Sequence, residues 1–146
     1  FNLYGPHQRE SFVIPKFLRA VAEGELPTVY NDGTQKRCFT YIDDFITGLI
    51  AASERELGLN ETYNLGSTAE IEIRTLAEKI LEIGGMSDQS PKFIDPKEIH
   101  GDDYEEPDRR IPDISRAKKQ LGWEPSTPLS EGLEKSYKTV AESGNK

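Results

Sequence analysis

Apolar positions along this chain recur mostly at helical spacing, interrupted by short runs that alternate. Ile14, Phe17, Leu18 and Val21 fall on one face of a helix predicted over residues 11 to about 23, with Ser11 as its cap and Gly24 as its stop. A helix from residue 44 to about 54 is expected to bury Phe45, Leu49 and Ala52 beside Ile46 and Ile50. The clearest stripe, Ile73, Leu76, Ala77, Ile80 and Leu81, follows Ser67-Thr68-Ala69-Glu70, which fits a capping box, and stops at Gly84-Gly85. Asp113 is expected to cap a helix with Ile114, Ala117 and Leu121 inward, closed by Gly122 with Trp123 packed over the turn. The last helix opens at Thr127-Pro128, buries Leu129, Leu133, Tyr137 and Val140, and frays from residue 142. Alternation marks short strands at residues 1–4, 26–30, 62–65 and 92–94. The sum is a mixed α/β unit whose strands are too few and too short for an independent, fully covered parallel sheet.

Between the second strand and the second helix lies the stretch that organises the rest, residues 31–44 (NDGTQKRCFTYIDD). The turn Asn31-Asp32-Gly33 leads to Arg37 among apolar neighbours; Phe39 and Tyr41 alternate, and Asp43 and Asp44 stand where a helix wants its N-cap. An arginine fixed by a turn before it and a helix after it suits a phosphate, because its guanidinium stays charged and donates two parallel hydrogen bonds. The competing reading is a surface pair with Asp43 or Asp44.

A net charge of −8 argues against a nonspecific nucleic-acid surface, which needs a basic excess, but not against a small anion held by local arginines. The single cysteine, Cys38, excludes a disulfide within the chain and any cysteine-based zinc site, and fits a reducing cytoplasm. No apolar run approaches the roughly 20 residues that span a bilayer, so no membrane partner is expected. His7 and His100 stand in separate loops without a third ligand, so no metal is expected either.

Other candidates for ligand contact are Asn2, beside the Gly5-Pro6 turn, and Tyr30, at a strand end. Asn2 would either donate to a phosphate or sugar oxygen or satisfy the turn's backbone; Tyr30 would either face a flat base or belong to the core. A second concentration of positive charge, Arg109-Arg110, lies in the acidic, irregular segment 95–112. If the loops carrying Arg37 and Arg110 converge, two guanidinium groups would bracket a diphosphate. Catalytic chemistry is missing. Glycines never recur at a Gly-x-x-Gly spacing, and the fourth residue after the six tyrosines is Gln8, Thr34, Phe45, Ser67, Asp108 or Ala141, never lysine. Phe1 is not an initiator methionine, and a chain opening within a strand reads as a piece of something longer.

Several motifs in order carry a resemblance. Residues 1–6 (FNLYGP), 28–37 (TVYNDGTQKR), 63–66 (YNLG), 110–115 (RIPDIS) and 121–125 (LGWEP) together resemble the C-terminal part of the extended short-chain dehydrogenase/reductase family, over residues 1 to about 137. That family comprises NAD-dependent nucleotide-sugar epimerases, 4,6-dehydratases and UDP-glucuronate decarboxylases. The resemblance implies a Rossmann domain holding NAD plus a smaller substrate domain, with all of residues 1–146 in the latter region. It implies that Asn2 contacts the sugar-diphosphate, that Val13 and Ile14 line the nucleoside, and that Tyr30 packs near the base. Arg37 and Arg110 would hold the diphosphate, with Arg109 as substitute if the loop slips by one. Tyr4, Gly5 and Pro6 would form the turn near the nicotinamide end of the cofactor.

The family's glycine-rich turn and Tyr-x-x-x-Lys pair would lie upstream of Phe1. Hence no catalytic residue is expected in this chain, and NAD is not expected to stay with it. The implied partners are a nucleoside-diphosphate sugar and the missing Rossmann region, through which family homodimers also form. The implied activity is that of an epimerase or dehydratase on a UDP- or dTDP-sugar; the stretch 104–110 also resembles decarboxylases. The rivals are a stand-alone sugar-nucleotide-binding module and an inactive truncation.

Overall fold

In the computed structural model, which describes residues 1–54, 61–100, 107 and 109–143, the apolar stripes converge on one main core. The first half runs β1 (Leu3–Tyr4), α1 (Val13–Ala22), β2 (Thr28–Tyr30), β3 (Lys36–Cys38), β4 (Thr40–Tyr41) and α2 (Ile42–Glu54). The second runs β5 (Glu70–Glu72), α3 (Ile73–Ile83), β6 (Lys92–Ile94), α4 (Lys97–His100), β7 (Arg109–Arg110) and α5 (Leu129–Ser143), with a π-helical turn at Ala117–Leu121 before α5. All five stripe positions of α3 are buried, as are Ile14, Phe17, Leu18 and Val21 of α1. Leu133 of α5 closes over them, while Leu129, Tyr137 and Val140 pack at the margin. Tyr4, also buried, donates its hydroxyl hydrogen to the Leu129 carbonyl and meets Tyr41 edge-on.

The strands form three small sheets. β1 pairs with β4 and β2 with β6, both parallel. In the third sheet β3 is central, antiparallel to β5 and parallel to β7, so that Arg37 is paired with Ile71 on one side and Arg110 on the other.

A smaller core, Leu65, Ala117, Leu121 and Trp123, attaches the C-terminal part to α2. Here the helix expectations need correction. Asp44 does not cap its own helix, which begins at Ile42; its buried carboxylate accepts from the Ser126 amide and hydroxyl (3.2 and 3.1 Å) and the Thr127 amide (3.0 Å). The Trp123 indole donates to the Asp44 carbonyl (2.9 Å) and the Thr47 hydroxyl (3.1 Å). Gly48 makes room for it: a Cβ there would lie 2.8 Å from the indole. Because Asp44 and Gly48 face Trp123, α2 is turned so that Ile46, Leu49 and Ile50 point outward, 44%, 54% and 49% exposed, where burial of Leu49 beside Ile46 and Ile50 was expected.

Other boundaries shift for local reasons. Phe12, not Ser11, is the N-cap of α1, without a side-chain bond, and Pro15 sits in the first turn, where no intrahelical N–H is needed. Ser67 takes the Ala69 amide (3.1 Å) in a local turn, but the capping box does not form: residues 70–72 are drawn into β5 beside β3, and α3 starts at Ile73. Residues 62–65 join no ladder among the described residues and are anchored by side chains, Tyr63 donating to Gln120 and Asn64 to the Asp113 carbonyl. Asp113 accepts the Ser115 amide (2.9 Å), which holds its carboxyl below the usual range, but the turn beyond is π-helical. Pro128 rather than Thr127 accepts the first bond of α5, from Gly132. Residues 144–146, where fraying was expected, lie outside the described residues. No helix among the described residues is long and apolar enough to cross a membrane.

Candidate anion-binding cavity

A cavity of about 410 Å³ opens between the first turn of α1, β2 and the face of the sheet made by β3 and β7. Asn2, Val13, Tyr30, Arg37 and Arg110 all line it. A neighbouring chamber of about 430 Å³, which shares Asn2, Phe12, Val13 and Phe39 with the first, is lined by Ile14, itself buried in the core. Thus residues up to 108 positions apart in sequence meet around one space.

Each is placed by an identifiable element. Arg37 stands in the middle of the central strand and is only 6% exposed, so it is not the surface partner of Asp43 or Asp44; Asp44 is committed to Ser126 and Thr127. One arm of the guanidinium donates to the Lys36 carbonyl (2.8 Å). Arg110 is the register partner of Arg37, and paired strands lie roughly 4.8 Å apart, so the two cations stand side by side on neighbouring strands. They flank a site from one wall rather than bracketing it from two loops. Arg109, the alternative, lines no part of the cavity; its guanidinium forks onto Glu70 at 2.7 and 2.8 Å. The rest of the decarboxylase-like loop, residues 104–106 and 108, lies outside the described residues.

Asn2 does not satisfy the backbone of the Gly5-Pro6 turn. Its amide donates to the Cys38 carbonyl (3.1 Å), tying the first strand to the arginine strand, while the residue also lines the cavity. Tyr30 presents its ring near Lys16, whose ammonium lies 5.9 Å from the centroid, and its carbonyl accepts from Gln35 (3.4 Å).

The turn between β2 and β3 fixes this wall. Gly33 has φ of +73° and donates to the Tyr30 carbonyl, while its own carbonyl takes the Arg74 amide at the start of α3. A Cβ at Gly33 would lie 2.6 Å from Val29 and 2.8 Å from the Arg74 side chain. Gly33→Ala is therefore expected to cost about 2 kcal/mol of stability, combining left-handed strain with overpacking, as read by urea unfolding.

Among the lining residues that were not anticipated are Lys16 and Gln35. The signals were available: Lys16 lies one helical turn after Val13, and Gln35 precedes Arg37 by two, hence on the same strand face. With Lys16 included, the cavity gathers three cations and not one carboxylate among its described lining residues, in a chain whose net charge is −8. Such a focus favours an anion with several acceptor oxygens, flanked by an aromatic ring and apolar walls.

Tyr4, Gly5 and Pro6 are not among these lining residues. The Tyr4 phenol is in the core, where burial pushes its pKa up, and Gly5 packs so tightly on α2 that a Cβ would meet Ile42 at 2.6 Å.

Fold and cavity together describe a mixed α/β unit with short strands and a cationic cavity. A family model described as GDP-mannose 4,6 dehydratase matches residues 1–136. UDP-glucuronic acid decarboxylase 1 of Xenopus tropicalis is 36% identical over 138 residues, covering 93% of this chain and 31% of that protein. UDP-N-acetyl-alpha-D-glucosaminuronate decarboxylase of Bacillus cytotoxicus is 31% identical over 150 residues, covering 99% and 46%. Among solved structures, UDP-glucuronic acid 4-epimerase from Bacillus cereus, in complex with UDP-glucuronic acid and NAD, superposes with a TM-score of 0.83 at 32% identity, over 97% of this chain and 43% of that one. The chain belongs to the extended short-chain dehydrogenase/reductase family. It spans less than half the length of these relatives.

Proposed function

We propose that this chain is the nucleotide-sugar-binding part of an NAD-dependent epimerase or dehydratase acting on a UDP- or dTDP-sugar. The observation that carries the reading is the cavity in which Lys16, Arg37 and Arg110 meet beside Asn2 and Tyr30, with no carboxylate among its described lining residues. Arg37 and Arg110 hold the diphosphate, Tyr30 and the first turn of α1 around Val13 and Ile14 take the nucleoside, and Asn2 contacts the sugar-diphosphate. In the complete protein, bound NAD would supply transient hydride transfer at the sugar. The tyrosine–lysine pair and the glycine-rich turn belong to a further region outside this chain. The outward stripe of Ile46, Leu49 and Ile50 on α2, next to a parallel ladder of two strands, supports that region's presence, because parallel sheets are normally covered on both faces.

A second outcome at the same site is decarboxylation of a UDP-uronic acid, favoured by the similarity to the two decarboxylases. Incubating the complete protein with UDP-glucose, UDP-glucuronate and dTDP-glucose and following the sugars by NMR separates the outcomes; no turnover and no binding of any of the three would overturn the reading. The isolated chain is expected to emerge from purification without NAD. Bound cofactor at a stoichiometric level, measured after denaturing release, would refute the division of labour.

A further inference from the structure

β7 is two residues long, yet it carries one of the two cavity arginines. Its ladder puts Arg110 beside Arg37 and Arg109 beside Lys36, so cations meet cations at both paired positions, an arrangement that opposes strand pairing. Across the sheet, Glu70 of β5 is the register partner of Cys38 on β3, the central strand. Its carboxylate nevertheless accepts both Nε (2.7 Å) and Nη2 (2.8 Å) of Arg109, spanning from one edge strand over β3 to the other. Successive residues of a strand point to opposite faces, and here Arg109 turns to Glu70 while Arg110 lines the cavity.

We propose that the Glu70–Arg109 pair is a positioning clamp that holds β7 against β3 from the far face of the sheet and thereby presents Arg110 beside Arg37 to an anion. Isolated surface pairs contribute little, but this one is bidentate, and Lys36 stands beside it. The proposal rests on reading the cavity as a diphosphate site. Glu70 then offsets one like-charge contact on the far face, and the bound phosphates offset the other on the near face. Glu70 never touches the ligand; its effect passes through the placement of β7.

The test is calorimetric titration of the complete protein with UDP, with uridine binding followed by NMR as a phosphate-free control. Glu70→Gln is expected to raise the Kd for UDP about threefold to tenfold and to leave uridine unaffected. The exchange of partners, Glu70→Arg with Arg109→Glu, is expected to restore UDP binding to within about twofold of wild type. Arg109→Lys, which keeps the charge but loses the fork, is expected to fall between and serves if Glu70→Gln does not fold. An unchanged UDP affinity in Glu70→Gln and Arg109→Lys, equal losses for UDP and uridine, or an exchanged pair no better than Glu70→Gln would each overturn the clamp. Arg37→Ala separates the two levels. If it weakens UDP binding while Glu70→Gln does not, the clamp alone fails; if neither does, the diphosphate reading fails and the clamp with it.

Discussion

Arg37→Ala in the complete protein is expected to weaken UDP binding by about 2 kcal/mol or more, roughly thirtyfold, because a charge-assisted hydrogen bond to a diphosphate in a desolvated wall contributes on the order of 1.5–3 kcal/mol. The magnitude follows from placement. At 6% exposure the guanidinium has already lost most of its water, and its Nη1 is oriented by the Lys36 carbonyl before any ligand arrives. Little side-chain entropy remains to be lost on binding, so the contact is not diluted as an exposed arginine's would be. Arg37→Lys separates charge from shape: a lysine retains the attraction but not the planar fork, and its loss is expected to be smaller than alanine's. Calorimetry with UDP reads both variants, and thermal unfolding without ligand checks that each is folded. An alanine variant that is folded and binds UDP as wild type does would contradict the assignment.

The largest effect on stability is expected from Trp123→Ala, about 3–5 kcal/mol by urea unfolding, the usual range for removing a buried tryptophan. Trp123 is 6% exposed and does two jobs at once. Its ring fills the space left by Gly48 against Leu65, and its indole N–H satisfies the Asp44 carbonyl and the Thr47 hydroxyl. Removing it opens a cavity in the smaller core and loosens α2 beside the Asp44 carboxylate that gathers Ser126 and Thr127. Trp123→Phe keeps most of the volume without the donor, so its smaller loss would measure the packing share. A Trp123→Ala variant less than about 1 kcal/mol below wild type would show that α2 is not fastened through this residue.

How much of this was legible beforehand differs by the range of the interactions involved. Helix stripes set by local periodicity, such as Ile73 to Leu81, were readable because each position is decided within two turns. The turn at Gly33 and the arginine after it were readable for the same reason. Asp44 was misassigned because a local rule, acid at a helix start, competes with a partner 82 residues away that the chain reveals only when folded. The outward turn of Leu49 has the same origin, since the helix face was chosen by Trp123 rather than by its own hydrophobicity. The Ser67–Glu70 box lost to a neighbouring strand edge and to Arg109. In the cavity, the residue identities came from motif order, but their meeting depends on parallel ladders joining distant segments, and no spacing along the chain encodes that.

Those ladders also bear on how the protein is made. Tyr4 leans on Leu129, and the helix at residues 13–22, packed against α3 on one side, is fully covered only when Leu133 packs over it. During synthesis the apolar face of residues 13–22 therefore waits for Leu133 to leave the ribosome, and the loop closures that precede it are long ones, slow and open to misassociation. A nascent chain stalled before residue 129 would lack its covering helix, making it a natural client for chaperones or proteases.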